Sequence, residues 1–343
     1  MRKFGPALVA IVAVMLSARA VGAPPKPLFA SEDTISIVVQ GPISTFAGNR
    51  SETPRPGTLT IGNENLPVNL SVRGITRRAS DVCDFPPLRV EFTRPPPPTS
   101  LFAGQKRLKL VTHCRNAAGF QQHELLEYAA YRMYQQLTPL GLRARLANVE
   151  YRQDDGRPAI QRFGFFLEDN SDAAKRNGLK AIHAPELIPV TTLNPRDAAR
   201  YALFQHMLGN HDWSMRAGPK GDECCHNARL IGAGGLTRGA VIPIPYDFDF
   251  SGFVDAPYAT PPDELQLTSV RQRQYRGYCI HNADAAVVAA QMRTAQPQML
   301  AVLASTPGLD PKTLRRAQTY LDGFFRDIAS DASVATLLKK CLN

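Results

Sequence analysis

Asp212, Asn227, Asp247 and Asp249 are the residues whose types and spacing could do chemistry. Asp212 stands in "MLGNHDWS" (207–214), just past an apolar-periodic segment, so a loop would present its carboxylate. Asn227 stands in "CCHNARLI" (224–231), ahead of a short apolar run. Asp247 and Asp249 close "IPIPYDFDFSG" (242–252), where a buried strand would emerge at a cleft. Carboxylate and amide oxygens are the ligands that Mg²⁺ and Mn²⁺ prefer, and these hard cations also bridge phosphate oxygens. A further aspartate beside such a centre can orient an attacking hydroxyl. One acid in a loop is ordinarily solvated or caps a turn, as Asp249 could before Ser251-Gly252; the ordered set is the signal. His211 reads as a structural hydrogen-bonder and Trp213 as a ring packed beneath the loop.

The elements that must position these residues change character along the chain. "TISIVVQG" (34–41), "GTLTIG" (57–62), "VNLSVRG" (68–74), "PLRVEF" (87–92) and "KRLKLVTHC" (106–114) are β-branched runs punctuated by Gly, Pro and Asn, and predict strands of a mostly antiparallel sheet. In "QQHELLEYAAYRMYQQL" (121–137) Leu126, Ala130, Met133 and Leu137 recur at helical spacing. "ARLANVEYR" (144–152) and "RFGFFLED" (162–169) predict two more strands. "NPRDAARYALFQHMLGN" (194–210) predicts a helix with an Asn N-cap, Pro at its first position and Gly209 as its stop. Beyond residue 282 the pattern is mainly helical. The expectation is an α+β chain of two lobes, strand-rich over 34–170 and helix-rich over 171–343, with the ligand in the cleft between them.

The first residues, "MRKFGPALVAIVAVMLSARAVGA" (1–23), read as a signal peptide, because Arg2 and Lys3 precede an apolar run too short to span a bilayer. A Pro-rich leader follows over 24–33. The mature chain is therefore expected to be exported, periplasmic or extracellular, without a transmembrane segment. The formal net charge of +10 includes Arg2, Lys3 and Arg19 of the leader. The remaining basic excess suits an acidic or phosphorylated ligand, or is a solvated surface. Lys and Arg are scattered rather than clustered with aromatic residues, which argues against nucleic acid. "SVRQRQYRGYC" (269–279) could grip an acidic substrate or form a satisfied arginine network.

The motifs "GNHD", "HN" and "PIPYDFD", in that order, resemble the signature of atypical kinases, among them the HipA-type kinases and the spore-coat CotH family. The first half is similar to CotH-like proteins in "VRGITRRASDVCDFPPLRVEF", in the lysine strand "KRLKLVTHC" and in "GFFLED". The resemblance runs from about residue 34 to 280 on short motifs. It implies a two-lobed protein-kinase-like fold, with an antiparallel-sheet N-lobe carrying one helix and a helical C-lobe. It implies phosphotransfer from ATP or another nucleotide, with Mg²⁺ or Mn²⁺, to a protein or small-molecule acceptor. It makes Asp212 the catalytic base of a loop over 209–227. Asn227 and Asp247 become metal ligands, the latter in a segment over 243–252, with Asp249 as a candidate second carboxylate.

Lys109 would contact the nucleotide phosphates and Glu127 would pair with it, although Lys109 between Leu108 and Leu110 also suits a strand's solvent face. Helical phase favours Glu127 over Glu124, at about 90° against about 150° from the apolar stripe, so that Glu124 is expected to face solvent. The chain departs from the pattern in two places. No G-x-G-x-x-G loop is present, and Arg73 and Arg77 of "RGITRR" offer guanidinium groups to phosphates instead. The segment between Asp212 and Asn227 is also widened by "WSMRAGPKGDECC". Two other classes fit the same residues: a catalytically inactive kinase-like scaffold of the cell envelope, and a metal-dependent phosphoesterase. "DFDFSG" has the D-x-D form of HAD-type phosphatases, but it falls late and precedes helices rather than a parallel sheet.

The six cysteines suggest disulfides in an exported chain; zinc is disfavoured because no C-x-x-C pair exists. Cys83 precedes one strand and Cys114 ends another in the same sheet, so they are expected to pair. Cys224 and Cys225 are expected to bond Cys279 and Cys341, one each, stapling the widened loop.

Overall fold

The computed structural model describes residues 22–343. The signal-peptide expectation falls almost wholly on residues 1–21 and lies outside the described residues. The Pro-rich leader is strapped onto the body. Leu28 and Phe29 are buried, Arg145 donates to the carbonyls of Leu28 and Ser31, and Lys26 pairs with Asp172 at 2.6 Å.

Seven strands close into one barrel in the order β1 (Ile35–Gln40), β2 (Arg55–Ile61), β3 (Glu64–Val72), β4 (Leu88–Phe92), β5 (Arg107–Val111), β7 (Pro158–Leu167) and β6 (Ala144–Arg152). Every pairing is antiparallel except the one that closes the barrel, where β1 runs parallel to β6 from Ile35↔Ala147 to Gln40↔Arg152. Alternation sets the two faces. In β4, Leu88, Val90 and Phe92 point into the barrel while Arg89 and Glu91 point out. The interior is filled by Val39, Leu59, Leu70, Val90, Leu110, Val149 and Phe166.

Short α1 (Ile43–Asn49) follows β1. Between β5 and β6 lies α2 (Gln121–Gln135), which packs on β7 and on a long helix of the second half, α5 (Asn282–Ala304). Because it is wedged between them, α2 is buried nearly all round, Glu124 and Glu127 included. Short α3 (Asn170–Arg176) follows β7. Next comes α4 (Pro195–Leu208), capped by the Asn194 side chain and ended by Gly209 at φ 60°. A separate three-stranded antiparallel sheet, whose first strand precedes α4, has the order β10 (Ile242–Pro245), β9 (Ala228–Gly232), β8 (Lys180–Ala181). Helices α5, α6 (Pro311–Asp327) and α7 (Asp331–Leu338) complete the described chain. No helix among the described residues is long and apolar enough to cross a membrane.

The two-lobed protein-kinase-like fold that the resemblance implies is therefore corrected. The first-half sheet is a closed mixed barrel, not an antiparallel lobe, and the second half carries its own sheet beside the helices. One apolar cluster runs from the outer barrel face (Leu146, Phe165, Leu167) through α2 into α4, α5 and α6.

Three cysteine pairs lie at disulfide distance. Cys83 pairs with Cys114, as the sequence suggests. Cys224 pairs with Cys225, and Cys279 with Cys341, which corrects the expected cross-linking of the widened loop. The reason is local. Leu342 bridges Tyr278, which sets Cys341 upon Cys279, whereas the backbone of Cys224 turns to the carbonyl of Pro185.

Candidate functional site

The turn after α4 is built to present Asp212. Gly209 takes a left-handed conformation there, and a Cβ would collide with the Tyr320 hydroxyl. Asn210, almost fully buried, accepts from the Asp212 amide at 3.0 Å, and its side-chain nitrogen donates to the Asp247 carbonyl at 3.4 Å. It thereby ties the two acidic segments together. Trp213 packs on Tyr201 and donates from Nε1 to the Asn210 carbonyl. His211 is buried with Nε2 on the Gln272 carbonyl. The arginine-rich stretch is the satisfied network: Arg273 donates to the carbonyls of Met207 and Tyr320, and Arg276 to that of His211.

The widened loop returns to the same place. Its backbone bonds run to Glu186 and Ile188, and then the Ser214 amide donates to the His226 carbonyl. Asn227 follows at φ 48°, immediately before β9, and Asp247 stands at φ 64°, just beyond β10. The Ala228↔Pro245 register brings these strand ends side by side, and the Tyr246 amide donates to the Asn227 carbonyl. Asn227 Nδ2 donates to the Asp212 carbonyl at 2.7 Å and to Oδ2 at 2.9 Å. His226 Nε2 lies 2.6 Å from Asp212 Oδ1. That hydrogen bond raises the His226 imidazole above its ordinary pKa, burial opposes it, and the Asp212 and Asp247 charges add to the rise.

Glu127, Asp212, Asn227, Asp247 and Asp249 line one cleft of about 440 Å³, together with Arg73, Arg77 and Arg229. Asp249 is buried and accepts from the Tyr258 hydroxyl at 3.0 Å. Burial first, and then the Asp247 carboxylate, push it well above the carboxylate range. Burial does the same to Glu127, against the pull of Arg77.

The expected Lys109–Glu127 pair does not form. Arg77 takes that place: its guanidinium is buried, donates to the Thr112 carbonyl at 2.7 Å and lies 3.4 Å from both Glu124 and Glu127. Glu124 is therefore not on a solvent face. It also accepts from the Cys114 amide, and burial lifts it to about 7. The Cys83–Cys114 pair braces this region, between the turn carrying Arg77 and the end of β5. Arg77 forms the floor of the cleft rather than a free phosphate contact.

Lys109 sits beside the cleft, its Nζ 4.6 Å from the Tyr246 ring, with Arg229 at 4.4 Å from the same ring. Arg73 donates to the Tyr246 hydroxyl at 2.9 Å. Burial, then Arg229 and Arg73, pull the Lys109 ammonium down to about 7. No carboxylate pairs with Lys109, Arg73 or Arg229 among the described residues.

No protein-family model matches this chain, and no curated protein matches it. The chemistry has to come from the site itself. Sequence reasoning missed His226, Arg229, Tyr246 and Asn210 as parts of it. Each is a close neighbour of a residue singled out for chemistry, and that adjacency was the available signal.

Proposed function

We propose that this cleft carries out metal-dependent phosphoryl transfer from a nucleotide to a protein or small-molecule acceptor. One observation carries the reading: Asp247 and Asn227, both at left-handed backbone angles, meet Asp212 in a cleft bordered by unpaired cations. Non-glycine residues in that conformation store strain and gather at functional sites.

The donor set fits a hard divalent cation. The Asp247 carboxylate has no basic partner within ion-pair distance among the described residues, and no protein donor reaches the Asn227 amide oxygen, since its nitrogen faces Asp212. Among the described residues no three His, Cys, Asp or Glu side chains form a metal cage. Waters and phosphate oxygens would complete the shell of Mg²⁺ or Mn²⁺, as these ions favour. Asp247 and Asn227 would hold the cation, with Asp249 behind them. When bound, it neutralises the phosphate oxygens at the centre of transfer.

The remaining roles belong to the chain's own side chains. Lys109, Arg229 and Arg73 receive the phosphates, and a phosphate near Lys109 restores the proton that burial disfavours. Asp212 accepts the acceptor's hydroxyl proton as the new O–P bond forms and the bond to the leaving phosphate breaks. His226 and Asn227 hold that carboxylate in place from its two oxygens. Export belongs to the same proposal, supported by cysteine pairs at disulfide distance.

The test is nucleotide affinity with and without Mn²⁺. Asp247→Ala should abolish the Mn²⁺-dependent part, because too few anionic ligands remain to hold a cation–triphosphate complex. An unchanged Mn²⁺ dependence in that variant sinks the assignment.

A further inference from the structure

The acidic cleft does not end at Lys109. A second cavity of about 430 Å³ shares Leu167 and Arg229 with it, and a third of about 670 Å³ shares Arg107, Asp169 and Ser171 with the second. The three adjoin along the outer face of β4 and β5, where the Arg89↔Lys109 register sets two cations side by side and Arg107 stands two residues along. Lys106 and Lys175 line the far end.

The charges of this track are not balanced. Its acids are largely engaged: Glu168 with Arg176, Asp172 with Lys26, Glu223 with His183, and Asp169 capping α3 through Ser171. Glu91, opposite Arg107 in the strand register, is the exception. No ion pair engages Arg89, Lys106, Arg107, Lys109, Lys175 or Arg229 among the described residues. Lys109 lies in the wall with its Nζ over the Tyr246 ring and no carboxylate within ion-pair distance among the described residues. Unpaired cations in file along a groove raise the local concentration of anions and favour a linear one. Apart from the exposed His183 imidazole, which is held by Glu223, the linings of the second and third cavities contain no aromatic ring, so the track lacks the row of stacking platforms that single-stranded nucleic acids use.

We propose that the groove running from the Asp212–Asp247 cleft past Lys109 and Arg107 to Lys175 binds linear inorganic polyphosphate. Its near end lies beside Tyr246 and its far end crosses the Lys106–Lys175 mouth. Only the placing of a chain end in the Asp212–Asp247 cleft rests on the phosphotransfer reading; the affinity of the groove needs neither metal nor turnover.

The experiment is calorimetric titration of the mature chain, in chelator and at low salt. The ligands are inorganic tripolyphosphate, a long-chain polyphosphate and a single-stranded DNA of matched charge. A triple variant, Lys106→Ala with Arg107→Ala and Lys175→Ala, changes only exposed side chains of the distal track. The long chain should bind the native protein at least about tenfold tighter than tripolyphosphate does, since one added hydrogen bond between charged groups is worth that much. The triple variant should erase this advantage and weaken the long chain more than tripolyphosphate, because Lys106 and Lys175 line only the distal cavity whereas Arg107 borders both. An unaltered long-chain affinity in the triple variant overturns the proposal. Equal binding of the DNA also overturns it, in favour of an unselective basic groove. The two ideas fail separately: polyphosphate binding in chelator without any Mn²⁺-dependent nucleotide binding keeps the groove and sinks the phosphotransfer reading, and the reverse result sinks the groove alone.

Discussion

Replacing Arg77 by Met, which keeps the length and removes the charge, isolates the electrostatics beneath the site. In the native chain Arg77 is the cation between Glu124 and Glu127, and it also pulls on Asp249. Burial raises all three carboxyl groups, Glu124 to about 7. A carboxyl whose folded pKa is raised stabilises the fold fully below its unfolded pKa and loses that contribution as pH climbs through the folded value. For Glu124 alone the loss between pH 4.5 and above pH 7 is about 3 kcal/mol. Above pH 7 the Glu124 carboxylate is charged, and removing Arg77 leaves it without its partner. At pH 8 the variant should lose about 3–5 kcal/mol, the cost of breaking a buried pair from one side. At pH 5 Glu124 holds its proton, so the loss should shrink to about 1–2 kcal/mol, for the hydrogen bond to Thr112. Urea unfolding followed by circular dichroism at both pH values measures this, with disulfides intact and chelator present, so that no bound cation replaces the guanidinium. A loss of equal size at pH 5 and pH 8, or one below about 1 kcal/mol at pH 8, refutes the reasoning.

Other outcomes follow from the same geometry. Asp212→Asn keeps the contacts with His226 and Asn227 in outline but removes the charge and the base, so transfer should fall at least about 100-fold with nucleotide affinity retained; equal rates in variant and native protein exclude Asp212 as the base. Peptide mapping of the unreduced protein should recover Cys83 with Cys114, Cys279 with Cys341, and Cys224 with Cys225 on one peptide. Cys279→Ser with Cys341→Ser together should cost about 2–4 kcal/mol, as opening a long loop does. An unchanged unfolding midpoint in that pair of substitutions counts against the bond.

Local periodicity made most of the elements legible. The strand over 144–152 and the helix stop at Gly209 stand where alternation and capping put them, because these signals act within a few residues. Barrel closure is not such a signal. A strand facing a barrel interior alternates like one on an open sheet, and the parallel β1–β6 pairing joins segments more than a hundred residues apart. The short strands β8 and β10 carry too few residues for any period. Glu124 misled for a related reason: an apolar stripe predicts one buried face, whereas α2 is enclosed by the barrel and α5 and buries its carboxylates against Arg77.

The convergence of Asp212, Asn227 and Asp247 was legible as an ordered set, but the means of convergence was not. The widened loop suggested that disulfide staples would be needed to bring Asn227 back. Instead the β9–β10 register does it, by placing the residue before one strand beside the two after the other. Once there, the core over-determines both residues. The Asp247 amide donates to the Tyr131 hydroxyl, the Asn227 carbonyl accepts from the Tyr201 hydroxyl and the Tyr246 amide, and Asn210 links Asp247 back to the turn of Asp212. Tyr131 and Tyr201 are themselves fixed in the apolar cluster, against Phe248 and Trp213. Left-handed conformations at Asn and Asp persist only where surrounding contacts hold them. These contacts, and not the widened segment between Asp212 and Asn227, therefore set where Asn227 stands. For the same reason, sequence spacing alone was a poor guide to whether Asn227 belongs to the site.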